Sequence, residues 1–133
     1  AVLDIPGETA QQRPNAVILG YPVVTAGEFA HRGSFVQLAG SEDAAAQQGF
    51  TLEDQVNSDT PPVFVWHTME DKTVPVENTL LLLAALRRAG VPCEAHLFEK
   101  GAHSTSISTA EVDADWVALC LEWLGETFGF KLS

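Results

Sequence analysis

The sequence predicts an α/β chain built on three parallel strands with flanking helices and one insertion, and three observations carry that reading. Three short apolar runs, residues 15–21, 61–67 and 93–98, have the length and continuity of strands buried within a layered sheet. A helical pattern over residues 76–89 separates the second run from the third, and strand, helix and strand in that order imply a parallel crossover. Each of the last two strands ends in a chemically marked segment. Trp66-His67-Thr68-Met69-Glu70-Asp71 closes one, and Phe98-Glu99-Lys100-Gly101-Ala102-His103 closes the other.

Along the chain, residues 1–14 carry Pro, Gly and polar residues without a period and read as an incoming connection. The strand Asn15-Ala-Val-Ile-Leu-Gly-Tyr21 is closed by Pro22. Residues 25–60 are polar and rich in Ala, Gln and Gly, with one short helix expected near Thr51. That stretch is long for a connection between neighbouring parallel strands. It reads as a lid-like insertion over the C-terminal strand ends, where ligands bind in open α/β sheets. Pro61-Pro-Val-Phe-Val-Trp-His67 is the second strand. In the following helix Leu80, Leu81, Leu83, Ala84 and Leu86 suggest the apolar face; Gly90 is placed to end it and Pro92 blocks its return. Cys93-Glu-Ala-His-Leu-Phe98 alternates in part. After a polar loop at 104–109, Ser108 and Glu111 have capping-box spacing. Val112, Trp116, Leu119, Cys120, Trp123 and Leu124 then recur at helical intervals.

Composition narrows the function classes. With 133 residues, 46% hydrophobic and 19% charged, the chain can bury a core. Seven Lys+Arg against eighteen Asp+Glu give a net charge of −11, which argues against a nucleic-acid partner and against docking on anionic membranes. Cys93 and Cys120 form no C-x-x-C motif and read as core thiols. No apolar run approaches the roughly 18 residues of a membrane span.

Asp71 is the leading acid. A carboxylate just past a buried strand, with Val74-Pro75 ending the turn, is placed to accept the Nδ1 proton of a histidine and fix its tautomer. Glu70 is the competitor and reads as a solvated neighbour. His103, on Gly101-Ala102-His103-Ser104, projects from a loop of small residues as a general base. His67 and His96 read as packed sheet residues, and His31 lies in the insertion. A metal set of His67, Asp71 and His103 lacks any compact ligand pair such as H-E-x-x-H, so no metal and no cofactor are expected. A nucleophile is the missing element. No Gly-x-Ser-x-Gly elbow is present, and Ser34 lacks the second glycine and preceding strand that an elbow needs.

These residues match a known pattern. Asn15 to Pro22, Pro61 to Thr68 with Asp71 and Val74 to Asn78, Leu86 to Pro92, and Leu97 to His103 resemble the C-terminal half of α/β-hydrolases of the acetyl-xylan-esterase and carboxylesterase type. Those enzymes are related to dienelactone hydrolases and prolyl-oligopeptidase-like esterases; His31-Arg-Gly-Ser-Phe35 also resembles what such esterases carry there. The resemblance runs from about residue 14 onward. It implies the C-terminal part of an α/β-hydrolase sheet, Asp71 as triad acid and His103 as triad base, with the nucleophile elbow and oxyanion loop lying before everything seen here. The expectation is one partial domain over 1–133 whose nucleophile half is not in this chain. The expected activity is serine-dependent hydrolysis of a small-molecule acyl ester, with acetyl groups on carbohydrate as a candidate. Alternatives are a non-catalytic interaction module of the same fold and a prolyl-oligopeptidase-like peptidase. Strand 15–21 is expected to pair with the missing N-terminal half or with a second copy of the chain.

Overall fold

The computed structural model describes residues 13–104 and 116–129. Its elements are β1 (Val17–Gly20), α1 (Arg32–Ala39), α2 (Ala44–Gln48), a 3-10 turn (Leu52–Asp54), β2 (Val63–Thr68), α3 (Glu77–Ala89), β3 (Cys93–Phe98) and α4 (Trp116–Phe128). The connection at residues 1–12, the Ser108–Glu111 capping box and Val112 lie outside the described residues. The strands form a three-stranded sheet in chain order, both pairs parallel, with Val17 opposite Val63 and Val63 opposite Cys93.

β2 is buried along its whole length, and its alternate residues feed two cores. Val63 and Val65 pack with Val24, Leu82, Leu86 and Val91 on the α3 face. Phe64 and Trp66 pack with Tyr21, Cys120 and Trp123 on the α4 face. Each Leu so buried contributes about 1.5–3 kcal/mol, which holds helices that would be marginal alone in water. α3 ends as its sequence requires: Gly90 takes a left-handed conformation (φ 72°), and the N–H groups of Gly90 and Val91 donate to Arg87 O and Leu86 O.

Four consecutive leucines hide the phase of α3. The helix buries Asn78, Thr79, Leu82, Ala85 and Leu86. Leu80 and Leu81, expected to face the core, are 45% and 37% exposed. The two buried polar residues set the phase, because their partners lie on the core side. Cys93 is exposed rather than a core thiol, since it opens a strand with no neighbour on its outer side among the described residues; Cys120 is buried. The insertion holds two α-helices and the 3-10 turn instead of one helix near Thr51. Both helices are too short to show a period and start on side-chain caps: Asp43 Oδ2 accepts from Ala46 N (3.2 Å), and His31 Nδ1 lies 3.4 Å from Ser34 N.

Gly20 closes β1 where a side chain has no room. A Cβ there would stand 2.8 Å from Nε1 and 3.1 Å from Cε2 of Trp66. The indole cannot easily give way, being stacked on Trp116 (centroids 4.9 Å, interplanar 14°) and 4.3 Å from the Tyr21 ring. Gly20→Ala is therefore expected to cost about 1–3 kcal/mol in urea unfolding. An unchanged midpoint would show that the aromatic stack yields freely.

Candidate active site

Because β2 and β3 are parallel neighbours, the loops that leave them emerge at the same end of the sheet. Two bonds sew those loops together. Met69 N donates to Phe98 O (2.8 Å), and the buried Thr68 hydroxyl donates to Gly101 O (2.7 Å). Gly101 accepts this with φ 132°, a region open to glycine.

Asp71 folds its own loop around its carboxylate. Oδ1 accepts from the backbone N–H groups of Thr73 and Val74, each at 2.9 Å, as in an Asx turn. Oδ2 then faces the neighbouring loop and lies 2.7 Å from His103 Nδ1. The carboxylate is fully buried while the imidazole side chain is 27% exposed. Burial alone would raise the Asp71 pKa; the hydrogen bonds from His103, Val74 and Thr73 outweigh it and hold the carboxyl below its usual value of 3.8. With its Nδ1–H donated to a carboxylate, His103 presents the Nε2 lone pair, the atom that can take a proton from a nucleophile.

The other candidates fall elsewhere. Glu70 is exposed and the contact to His103 belongs to Asp71. His96 bonds Glu94 (2.8 Å) on β3. Ser34 Oγ lies 2.8 Å from His31 Nδ1 at the start of α1, a capping pair remote from Asp71 in the chain. His67 is indeed packed in the sheet, but its Nε2 also lies 3.2 Å from Asp71 Oδ2. Since both imidazoles direct N–H groups at one oxygen, His67, Asp71 and His103 offer no convergent lone pairs for a metal, and no ligating cluster of three is found among the described residues.

The cleft beside His103 is lined by residues 69–73 and 101–103. Sequence reasoning missed Tyr21, whose ring centroid lies 5.2 Å from that of His103. Tyr21 (φ 48°) and Ser104 (φ 64°) are the two non-glycine residues with left-handed backbone among those described, and one packs on the imidazole while the other follows it. Such conformations cost about 1–3 kcal/mol each and cluster at functional sites.

Residues 25–60 add no lining residue to this cleft; they are anchored by Asn78 at the start of α3. Its Oδ1 accepts from Val24 N (2.9 Å) and Thr25 N (3.0 Å), and its Nδ2 donates to Phe29 O (2.9 Å) and Pro75 O (3.0 Å). Arg32 braces the insertion from within, donating to Ala26 O and Gly27 O, each at 2.9 Å.

Comparison with known proteins identifies the family. Residues 19–131 match the model of the prolyl oligopeptidase family. The chain is 40% identical over 105 residues to an endo-1,4-beta-xylanase B of Butyrivibrio fibrisolvens, covering 78% of this chain and 16% of that protein. Among solved structures it is similar to an acetyl ester-xyloside bifunctional hydrolase from Caldicellulosiruptor lactoaceticus (TM-score 0.78, 41% identity, 89% of this chain and 44% of that one). It is also similar to a carboxylesterase from Lactobacillus plantarum (TM-score 0.71, 27% identity, 91% and 47%). The chain thus spans about half the length of these solved relatives and about a sixth of the xylanase.

Proposed function

Since the chain belongs to the prolyl oligopeptidase family of serine hydrolases, with α/β-hydrolase esterases among its structural relatives, we propose that it supplies the acid and base of an acyl-ester hydrolase. The observation that carries this reading is the 2.7 Å contact between the buried Asp71 carboxylate and His103 Nδ1, made between loops that leave adjacent parallel strands. The nucleophile is a serine on a segment outside these 133 residues, which contain no Gly-x-Ser-x-Gly sequence.

In this mechanism the serine hydroxyl passes its proton to His103 Nε2 as its oxygen bonds the ester carbonyl carbon. Asp71 holds Nδ1–H and stabilises the imidazolium. As the C–O bond to the alcohol breaks, His103 returns that proton to the departing oxygen, leaving an acyl-serine. Water, deprotonated by the same Nε2, then releases the acid and restores the serine. Acetyl esters of carbohydrate are the substrate class favoured by the acetyl ester-xyloside and xylanase relatives. The free edge of β1, where Ile18 is 46% exposed and no second strand pairs among the described residues, is where the segment bearing the nucleophile would add its strand.

Nitrophenyl acetate hydrolysis tests the assignment. The chain alone is expected to show no turnover above background, because proton transfer without nucleophile and oxyanion hole leaves little catalysis. Joined to its upstream segment it should turn over, and Ser34→Ala should change nothing. Turnover by the isolated chain that Ser34→Ala abolishes would overturn the proposal; turnover of peptide but not ester substrates by the complete enzyme would replace esterase by peptidase.

A further inference from the structure

We propose that His67 is a positioning residue: it hydrogen-bonds the same oxygen of Asp71 that receives His103, and so sets both the direction of that carboxylate and the basicity it confers on His103. The inference rests on the reading of Asp71 and His103 as acid and base. It adds a third member behind them.

His67 closes the buried face of β2 and has no solvent exposure. Its Nε2 meets two acceptors, Val74 O at 2.9 Å and Asp71 Oδ2 at 3.2 Å, so that nitrogen carries the hydrogen. Its Nδ1 lies 2.7 Å from the Thr79 hydroxyl, which donates to it. One imidazole thereby ties a strand, the acid-bearing loop and α3, and Thr79 fixes its tautomer.

The consequence falls on Asp71. Its two oxygens take four donors: Thr73 and Val74 N–H on Oδ1, and both imidazoles on Oδ2. A second donor on Oδ2 draws off negative charge that His103 would otherwise feel, and it stops the carboxylate from swinging. The Tyr21 ring packs against both imidazoles, at 5.7 Å from His67 and 5.2 Å from His103. Among the described residues the titratable side chains bonded to Asp71 are His67 and His103, with Tyr21 packed on both rings; the buried side of α3 offers Asn78, Thr79 and Leu82, none of which titrates, and Glu70 and Lys72 on its own loop are exposed.

Two substitutions separate the functions of the ring. Gln at 67 is long enough to place an amide N–H where Nε2–H stands, whereas Asn reaches only toward Thr79. In the complete enzyme, His67→Asn is expected to lower kcat for an acyl ester about tenfold with KM unchanged. Freed of the second donor, Asp71 stabilises the His103 imidazolium more strongly, so the acid limb of the kcat/KM profile should move up by roughly half to one pH unit. The low-field proton resonance of His103 Nδ1–H should shift with it. His67→Gln should restore both toward wild type. Should His67→Asn fail to fold, His67→Met, which keeps much of the ring's bulk but offers no donor to Asp71, should move the limb and the resonance in the same direction. An acid limb and a resonance that stay in place in these variants, while stability falls, would overturn the proposal and leave a purely structural histidine. Asp71→Asn in the same series guards the underlying reading: if it too leaves the His103 resonance unmoved, the acid–base pair itself is wrong.

Discussion

Asp71→Asn in the complete enzyme is expected to reduce kcat on a nitrophenyl ester by about 10³–10⁴-fold with little effect on KM. The amide oxygen can still accept from Thr73 and Val74, which turns the NH₂ group toward His103 Nδ1 and His67 Nε2. Donor then faces donor. His103 must move its hydrogen to Nε2 to regain a bond, and in that tautomer it cannot deprotonate a serine. The same variant carries a stability signature. Because the folded Asp71 carboxyl titrates below its usual 3.8, the stability it contributes is fully present above that value and is lost as pH falls through the folded pKa. Thermal melts below about pH 4 should therefore fall more steeply for wild type than for Asp71→Asn. Parallel curves, or a variant with full activity, would remove Asp71 from the site.

The second large effect is on folding. Asn78 is fully buried and makes four hydrogen bonds through its side chain, to Val24, Thr25, Phe29 and Pro75. Asn78→Ala leaves the two N–H groups and the Phe29 carbonyl without that partner, at about 1–3 kcal/mol per orphaned buried group. The expected loss is about 3–5 kcal/mol, or roughly 10–20 °C in Tm for a domain of this size. Asn78→Asp offers a sharper check. Its carboxylate could accept from Val24 and Thr25, but its second oxygen would face the two carbonyls, so the variant should be unstable at neutral pH and recover as the carboxyl is protonated. A variant as stable as wild type at neutral pH would show that the insertion is held by other contacts.

How far the sequence could be read follows from how local each signal is. β3 was legible to its ends, Cys93 and Phe98, since a proline and a polar turn bracket it. α3 was legible from Gly90, and the meeting of Asp71 and His103 followed from their places after consecutive strands. What stayed hidden depends on partners distant in the chain. His67 looked like a sheet residue because its tie to Asp71 needs the loop to fold back on the strand, and nothing local marks the Thr68 bond across to Gly101. Asn78 reads as one polar residue at a helix start; its acceptors and donors in 24–29 belong to another segment. Leu80 and Leu81 misled for the opposite reason, since in an unbroken run of leucines hydrophobicity carries no phase.

The Thr68–Gly101 and Met69–Phe98 bonds lie, with Asp71, His103 and His67, inside one strand–helix–strand stretch of contiguous chain. The proposed acid and base and these braces thus stay on one piece of chain, and a break ahead of β1 leaves them undivided together with Tyr21 and the segment that Asn78 anchors. For protein engineers this marks a seam for fragment complementation: a donor half need bring only its serine, its oxyanion amides and a strand edge.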